Sequence, residues 1–221
     1  MARFWDGLRR AIQTDPAGVS RVLEVADSIP RHPERDTVSP SLRVELAAII
    51  ENESGWNPAI RNGINCVGLI QFCPSTAHAL GTNPDALARM SLSEQSEYVY
   101  RYYLKTPKPR IPGDLYLATF LPSFVGAPPG TVIAREGVKE YVRGTRLTED
   151  IVWRQNPGLR SPGGGPITVD SVRAVVLRAP PSDIDIDSYS YKSKPPSGDD
   201  RTGAGWVVAL AVVIYLLARG R

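Results

Sequence analysis

The stretch Ser39-Pro-Ser-Leu-Arg-Val-Glu-Leu-Ala-Ala-Ile-Ile-Glu-Asn-Glu-Ser-Gly-Trp-Asn-Pro58 decides how this chain is read. Ser39 before Pro40 is a helix start: a hydroxyl caps a free N–H, and proline takes the first helical position, where an N–H is not needed. The helix runs to about Ser54 and stops before Gly55 and Asn57-Pro58. Projected at about 100° per residue, Leu42, Leu46, Ile49 and Ile50 form one apolar stripe, and Glu53 falls near its middle. Glu51 projects onto the opposite, solvated face, and Glu45 onto the stripe's edge. A carboxyl on the apolar side of a helix loses hydration, and the negative end of the helix dipole disfavours its charge further. Such a group keeps its proton to higher pH and is a candidate general acid. The helix alone leaves a second reading open, a terminal glutamate reaching out to solvent.

Start signals recur downstream. Pro74 opens a short helix ended by Gly81, and Asn83-Pro84 opens another. Ser91 and Glu94 form a capping box for a longer helix through Tyr103. After the proline-rich break Lys105–Pro112, Asp114 to Leu121 reads as a further helix. Alternating strand-like segments are scarce, so the fold class predicted is mainly α.

The end of that stretch, Glu53-Ser-Gly-Trp-Asn-Pro58, is followed in a fixed order by Gly68-Leu-Ile-Gln-Phe72 and Pro74-Ser-Thr-Ala77. Together they resemble the lytic transglycosylase, or soluble-lytic-type, branch of the lysozyme superfamily. Glu94-Gln95, Tyr98-Val99, Tyr102-Tyr103, Asp114-Leu-Tyr-Leu-Ala118 and Leu121-Pro122 look like a lysozyme-like branch common in phage structural proteins. The similarity covers about residues 38–178. It implies a goose-type lysozyme-like helical domain that cuts the MurNAc–GlcNAc β-1,4 bond of peptidoglycan and leaves a 1,6-anhydro end. It implies Glu53 as the one acid/base, Ser54 as a group that orients the Glu53 region and faces the sugar, and Gln71, Phe72 and Tyr102 as substrate-binding, with capping of a turn beside the helix the alternative role of Gln71. No cofactor or metal is implied.

The resemblance has gaps. Many members carry Ala-Tyr-Asn-Ala-Gly, whose Tyr approaches the catalytic Glu; here Ala118-Thr-Phe-Leu-Pro-Ser-Phe-Val-Gly126 puts Phe120 at that place. Tyr102 or Tyr103 is expected to replace the missing hydroxyl, or the donor is absent. At helical spacing, Tyr98, Tyr102 and Tyr103 also fit a core role. The closing stretch Asn156-Pro-Gly-Leu-Arg-Ser-Pro-Gly-Gly-Gly-Pro-Ile-Thr168 lacks the acidic positions that a calcium loop requires. A hydrolytic, goose-type reaction stays open as a rival, with Asp114 the candidate second carboxylate. So does a structural or ejection component of a virion or secretion machine.

Beyond this centre, the 221 residues divide by composition. Residues 1–35 read as an accessory segment, with Phe4, Trp5, Leu8 and Ile12 on one helical stripe that fits packing on the main domain or, as the alternative, docking a partner. Residues 36–178 are the catalytic domain, and 179–202, rich in Pro, Ser and charge, read as an extended linker. Residues 203–221 form a hydrophobic tail. Its apolar run spans roughly 24 Å as a helix against a hydrocarbon core of about 30 Å, so it is a short span, read here as a membrane anchor with burial in a protein assembly as the alternative. Arg219 and Arg221 after it put the domain on the wall side of the bilayer. The N-terminus shows no secretory leader. A net charge of +3 is too small to argue for nucleic acid. Cys66, Cys73, His32 and His78 show no metal-ligand spacing. The two cysteines fit either buried thiols or a local disulfide. The partners expected are glycan strands, a membrane and other machine proteins, at a virion or bacterial envelope.

Overall fold

A computed structural model describes residues 4–191. In chain order, α1 (Asp6–Thr14) and α2 (Pro16–Ser28) lead through a 3-10 turn at Pro33–Thr37 to α3 (Leu42–Ser54). Then come α4 (Pro74–Ala79), α5 (Pro84–Leu87), α6 (Leu92–Tyr103) and α7 (Asp114–Phe120). The remainder holds β1 (Val132–Ala134), α8 (Glu149–Gln155), β2 (Ile167–Thr168) and α9 (Val169–Val176). The two short strands pair antiparallel, Val132 opposite Thr168. The fold is mainly α, as the sequence predicts.

The Glu53 helix, α3, is the centre. Leu46, Ala47, Ala48, Ile49 and Ile50 are all 0 % exposed. Helices α1, α2, α7 and α9 all pack on it. A helix enclosed by several neighbours has no wholly wet face, which corrects two expectations. Glu45, read at a stripe's edge, is 0 % exposed and paired with the equally buried Arg35. Glu51, read as a solvated charge, accepts the N–H groups of Gly7 at 2.9 Å and Leu8 at 2.7 Å. It thereby caps α1, whose own N-cap residue, Trp5, supplies no side-chain bond. Here Gly7 is needed for space, since a Cβ would stand 2.5 Å from the carbonyl oxygen of Gly55, next to the end of α3.

The start of α3 also moves. The cap is Ser41, whose hydroxyl accepts from the Val44 N–H at 3.2 Å, while the Pro40 carbonyl just before it accepts from Arg35. Helix α2 was not read from the sequence at all. Asp15-Pro16 looks like an interruption, yet it is itself a cap with proline at N1, the Asp15 carboxylate accepting from the Gly18 N–H at 2.8 Å. The capping box of Ser91 and Glu94 is present as expected.

Residues 1–35 were read as an accessory segment whose apolar stripe packs on the main domain; from Phe4 onward they do pack into the common core, where Leu8, Val19 and Val22 are 0 % exposed. The first half of the expected linker, by contrast, is no linker. Ile186 is 2 % exposed, Asp183 pairs with Arg9, and Arg43 donates to the Asp187 and Tyr189 carbonyls. Sparse apolar residues suffice there because the polar ones find partners on α1 and α3. Among the described residues no helix is long and apolar enough to cross a membrane. The tail at 203–221 and residues 192–202 lie outside the described residues.

Candidate active site

Each motif has a physical job in placing one carboxyl at a cleft. Gly55 ends α3 immediately beyond Glu53 and Ser54. The Ser54 hydroxyl, 5 % exposed, lies 3.0 Å from the Ile50 carbonyl and 3.1 Å from the Leu69 carbonyl. It ties the helix end to the Gly68–Gln71 loop, in keeping with a role in orienting the Glu53 region, but it is not among the residues walling the cleft, which corrects its expected contact with the sugar. Gly68 has φ +79°, and a Cβ there would stand 2.3 Å from the side-chain oxygen of Gln95. That oxygen accepts from the Leu69 N–H at 3.0 Å, while the Gln95 amide donates to the Pro58 and Leu87 carbonyls. With Leu69 and Ile70 sunk in the core, Gln71 is left at the turn's rim. The loop is closed by reciprocal backbone bonds between Val67 and Phe72 and flanked by the Cys66–Cys73 disulfide.

A cleft of about 560 Å3 opens here, with Glu53, Ile64, Gln71, Phe120, Leu147 and Gln155 among its walls. Glu53 is the only ionisable side chain among the described residues that line it. The hollow continues past Gln71, Phe120 and Thr145 into a second of about 410 Å3 walled by Thr76, Tyr102 and Ser123. A separate cavity of about 610 Å3 beside Asp27, Ser39 and Arg43 contains none of the motif residues.

Burial pushes the Glu53 carboxyl above the usual glutamate range; bonds from Tyr116 and Asn52 pull it partly back. The Tyr116 hydroxyl donates to Oε1 at 2.6 Å, and Asn52 Nδ2 lies 3.3 Å from that oxygen and 3.0 Å from the Tyr116 hydroxyl. Both donors meet at Oε1, so Oε2 is the oxygen left to carry the proton. Burial, together with the neighbouring Glu53 charge, also drives the Tyr116 phenol upward, so it stays a donor at any working pH.

Tyr116 is the hydroxyl that the sequence left unassigned. It stands one helical turn before Phe120, its ring stacked on that phenyl with centroids 6.3 Å apart. The i, i+4 relation to Phe120 was the available signal. Neither tyrosine expected to take this part does so. The Tyr102 hydroxyl lies 3.0 Å from the Ala118 carbonyl and 2.9 Å from that of Thr119, and burial pushes it up to about 12. The Tyr103 hydroxyl meets the Thr119 hydroxyl at 2.6 Å. They hold the C-terminal end of α7; the ring of Tyr102 still forms part of the groove wall. Phe72 is 1 % exposed and packs edge-on to Tyr102, so it backs that wall rather than meeting a sugar face-on.

The other end of α7 is held by charge. Asp114 is 0 % exposed; its Oδ1 accepts from Arg173 Nη2 at 2.7 Å and its Oδ2 from the Arg110 and Ile111 N–H groups. The Gly113 N–H donates to Glu45 at 2.9 Å. Asp114 is therefore spent on structure and cannot serve as the second carboxylate of a hydrolase. With both ends fixed, α7 presents Tyr116 to Glu53.

No solved structure matches this chain. A family model does: residues 33–118, from the turn before α3 into α7, match the family described as Transglycosylase SLT domain.

Proposed function

We propose that the chain is a peptidoglycan lytic transglycosylase in which Glu53 alone gives and takes the proton. The observation that carries this reading is the lone, half-buried carboxyl in a cleft walled otherwise by neutral side chains, with its oxygen oriented by Tyr116. A strand lying along the two joined hollows would bring its glycosidic oxygen to Oε2. Protonation there lets the bond break, and positive charge develops at C1 of the MurNAc. The neighbouring N-acetyl group can share that charge. The carboxylate then removes the proton from the MurNAc C6 hydroxyl as its oxygen bonds to C1, which restores the acid and closes the anhydro ring.

Glycosidases that use water rely on a second carboxyl at a set distance from the first. Engagement of Asp114 with Arg173 favours the one-carboxyl route over hydrolysis. Gln71, on the rim, is assigned to hydrogen-bonding the glycan, and Phe120 to packing against a sugar face. Delivery by a virion or secretion machine, with an envelope anchor in the tail, completes the proposal. It is supported by the phage-like motifs and by the apolar run from Gly203 to Ala218 before Arg219.

The test is mass analysis of muropeptides released from purified sacculi by the full chain. Anhydro-MurNAc ends are the expected product. Reducing MurNAc ends would assign hydrolysis instead, and no release would remove the enzymatic reading.

A further inference from the structure

Nothing in the transglycosylation chemistry uses the two cysteines, yet both are in the wall of the Glu53 cleft. They are joined as a disulfide, and no free cysteine accompanies them. The bond stands at the neck of the Gly68–Gln71 loop, so one sulfur leads to the lip at 62–66 and the other to the first turn of α4. Its two halves differ in access. Cys66 is 1 % exposed, whereas Cys73 is half-buried and also faces the adjoining hollow.

We propose that this disulfide is a redox modification site, through which a small dithiol switches the cleft off without unfolding the chain. The proposal rests on the reading of the cleft as the glycan site. A thiolate of the dithiol attacks the accessible sulfur of Cys73, and Cys66 leaves as the thiolate. The second thiol of the reagent then displaces Cys73, so the protein gains two thiols and the reagent becomes its cyclic disulfide. The exchange moves two electrons and needs no other reactant.

What happens next follows from packing. Sulfurs about 2 Å apart when bonded must separate once the bond is gone. Cys66 has no room to move, so Cys73 is displaced, and the open side is the cleft. The lip, with Ile64 68 % exposed, loses its covalent tie to α4. Interior anchors survive: the Val67–Phe72 backbone pair, the Leu69–Gln95 bond and the Ser54–Leu69 contact do not depend on the disulfide. The expected result is local disorder of the groove wall beside Glu53 inside an intact fold. An oxidising compartment outside the cytoplasm forms such a bond and a reducing cytoplasm opens it. The site would thus confine activity to the place where the wall lies.

The experiment compares the full chain before and after dithiothreitol, with three readouts: turnover of sacculi, calorimetric binding of an N-acetylglucosamine tetramer, and circular dichroism. Reduction is expected to lower both turnover and tetramer affinity by roughly tenfold or more, the size that follows from misplacing a binding wall. Dichroism should stay unchanged, and reoxidation should restore both. Cys66→Ser with Cys73→Ser is expected to behave like the reduced protein and to ignore dithiothreitol. Reduced, folded protein that binds the tetramer unchanged would overturn the proposal. So would loss of binding that comes with global unfolding. If the oxidised chain binds tetramer but releases nothing from sacculi, the transglycosylase reading fails while the switch is still judged by binding.

Discussion

Glu53→Gln is expected to lower release of muropeptides by roughly 10²–10⁴-fold, the usual worth of a positioned acid/base. The amide keeps the shape of the side chain and can still accept the Tyr116 hydroxyl through its carbonyl oxygen. What it cannot do is deliver a proton to a leaving oxygen. Stability should not fall with activity. A carboxyl raised by burial destabilises the fold as pH rises through its folded value, because the charged form is the disfavoured one. Gln removes that cost, so the melting temperature of the variant should equal or exceed that of the parent on the alkaline side. Turbidity loss of sacculi and a thermal melt on the same preparation check both halves. Retention of more than about a tenth of the activity would place the acid elsewhere.

Arg173→Ala is expected to have the largest effect on stability. It leaves the Asp114 carboxylate at 0 % exposure with only two backbone N–H partners. Removing one member of a buried pair costs roughly 3–5 kcal/mol. That is a large share of the 5–15 kcal/mol or so that holds a typical domain together. Arg173 lies on α9, well beyond the segment matched by the family model. A large loss measured by denaturant unfolding would show that residues after 118 belong to the same cooperative unit. Activity should fall as well, because Tyr116 follows Asp114 by two residues on α7. Substituting both partners, Asp114→Asn with Arg173→Met, should recover part of the loss by removing the stranded charge.

How much of this was legible in the sequence depended on how local each signal was. Start signals are local, and the caps Asn83 and Ser91 and the helix start at Pro74 stand where the sequence puts them. The partly buried placement of Glu53 was legible too; the fold leaves it next to an opening while its neighbours pack inward. Glu45 and Glu51 were not. An amphipathic projection assumes one covering layer, and α3 has several, so Glu45 at the stripe's edge meets Arg35 and Glu51 on the opposite face meets the start of α1. Tyr116 escaped for a related reason. The family pattern directs attention to Phe120, and only the tertiary packing of α7 on α3 reveals that the residue one turn earlier reaches the carboxyl. Residues 179–191 read as linker by composition, yet Trp5 donates to the Ala179 carbonyl and Ile186 is buried in the common core. No local pattern announces contacts across more than a hundred residues.

The most direct measurement is the titration of the Glu53 carboxyl in the full, resting chain, followed by carbon NMR of labelled glutamate and assigned with Glu53→Gln. Its midpoint is expected above the ordinary glutamate range, and Tyr116→Phe should raise it further by removing a donor to the charged form. A midpoint at or below the ordinary range, unmoved by Tyr116→Phe, would mean a solvated, ionised side chain with no proton to lend, contrary to everything proposed for this cleft.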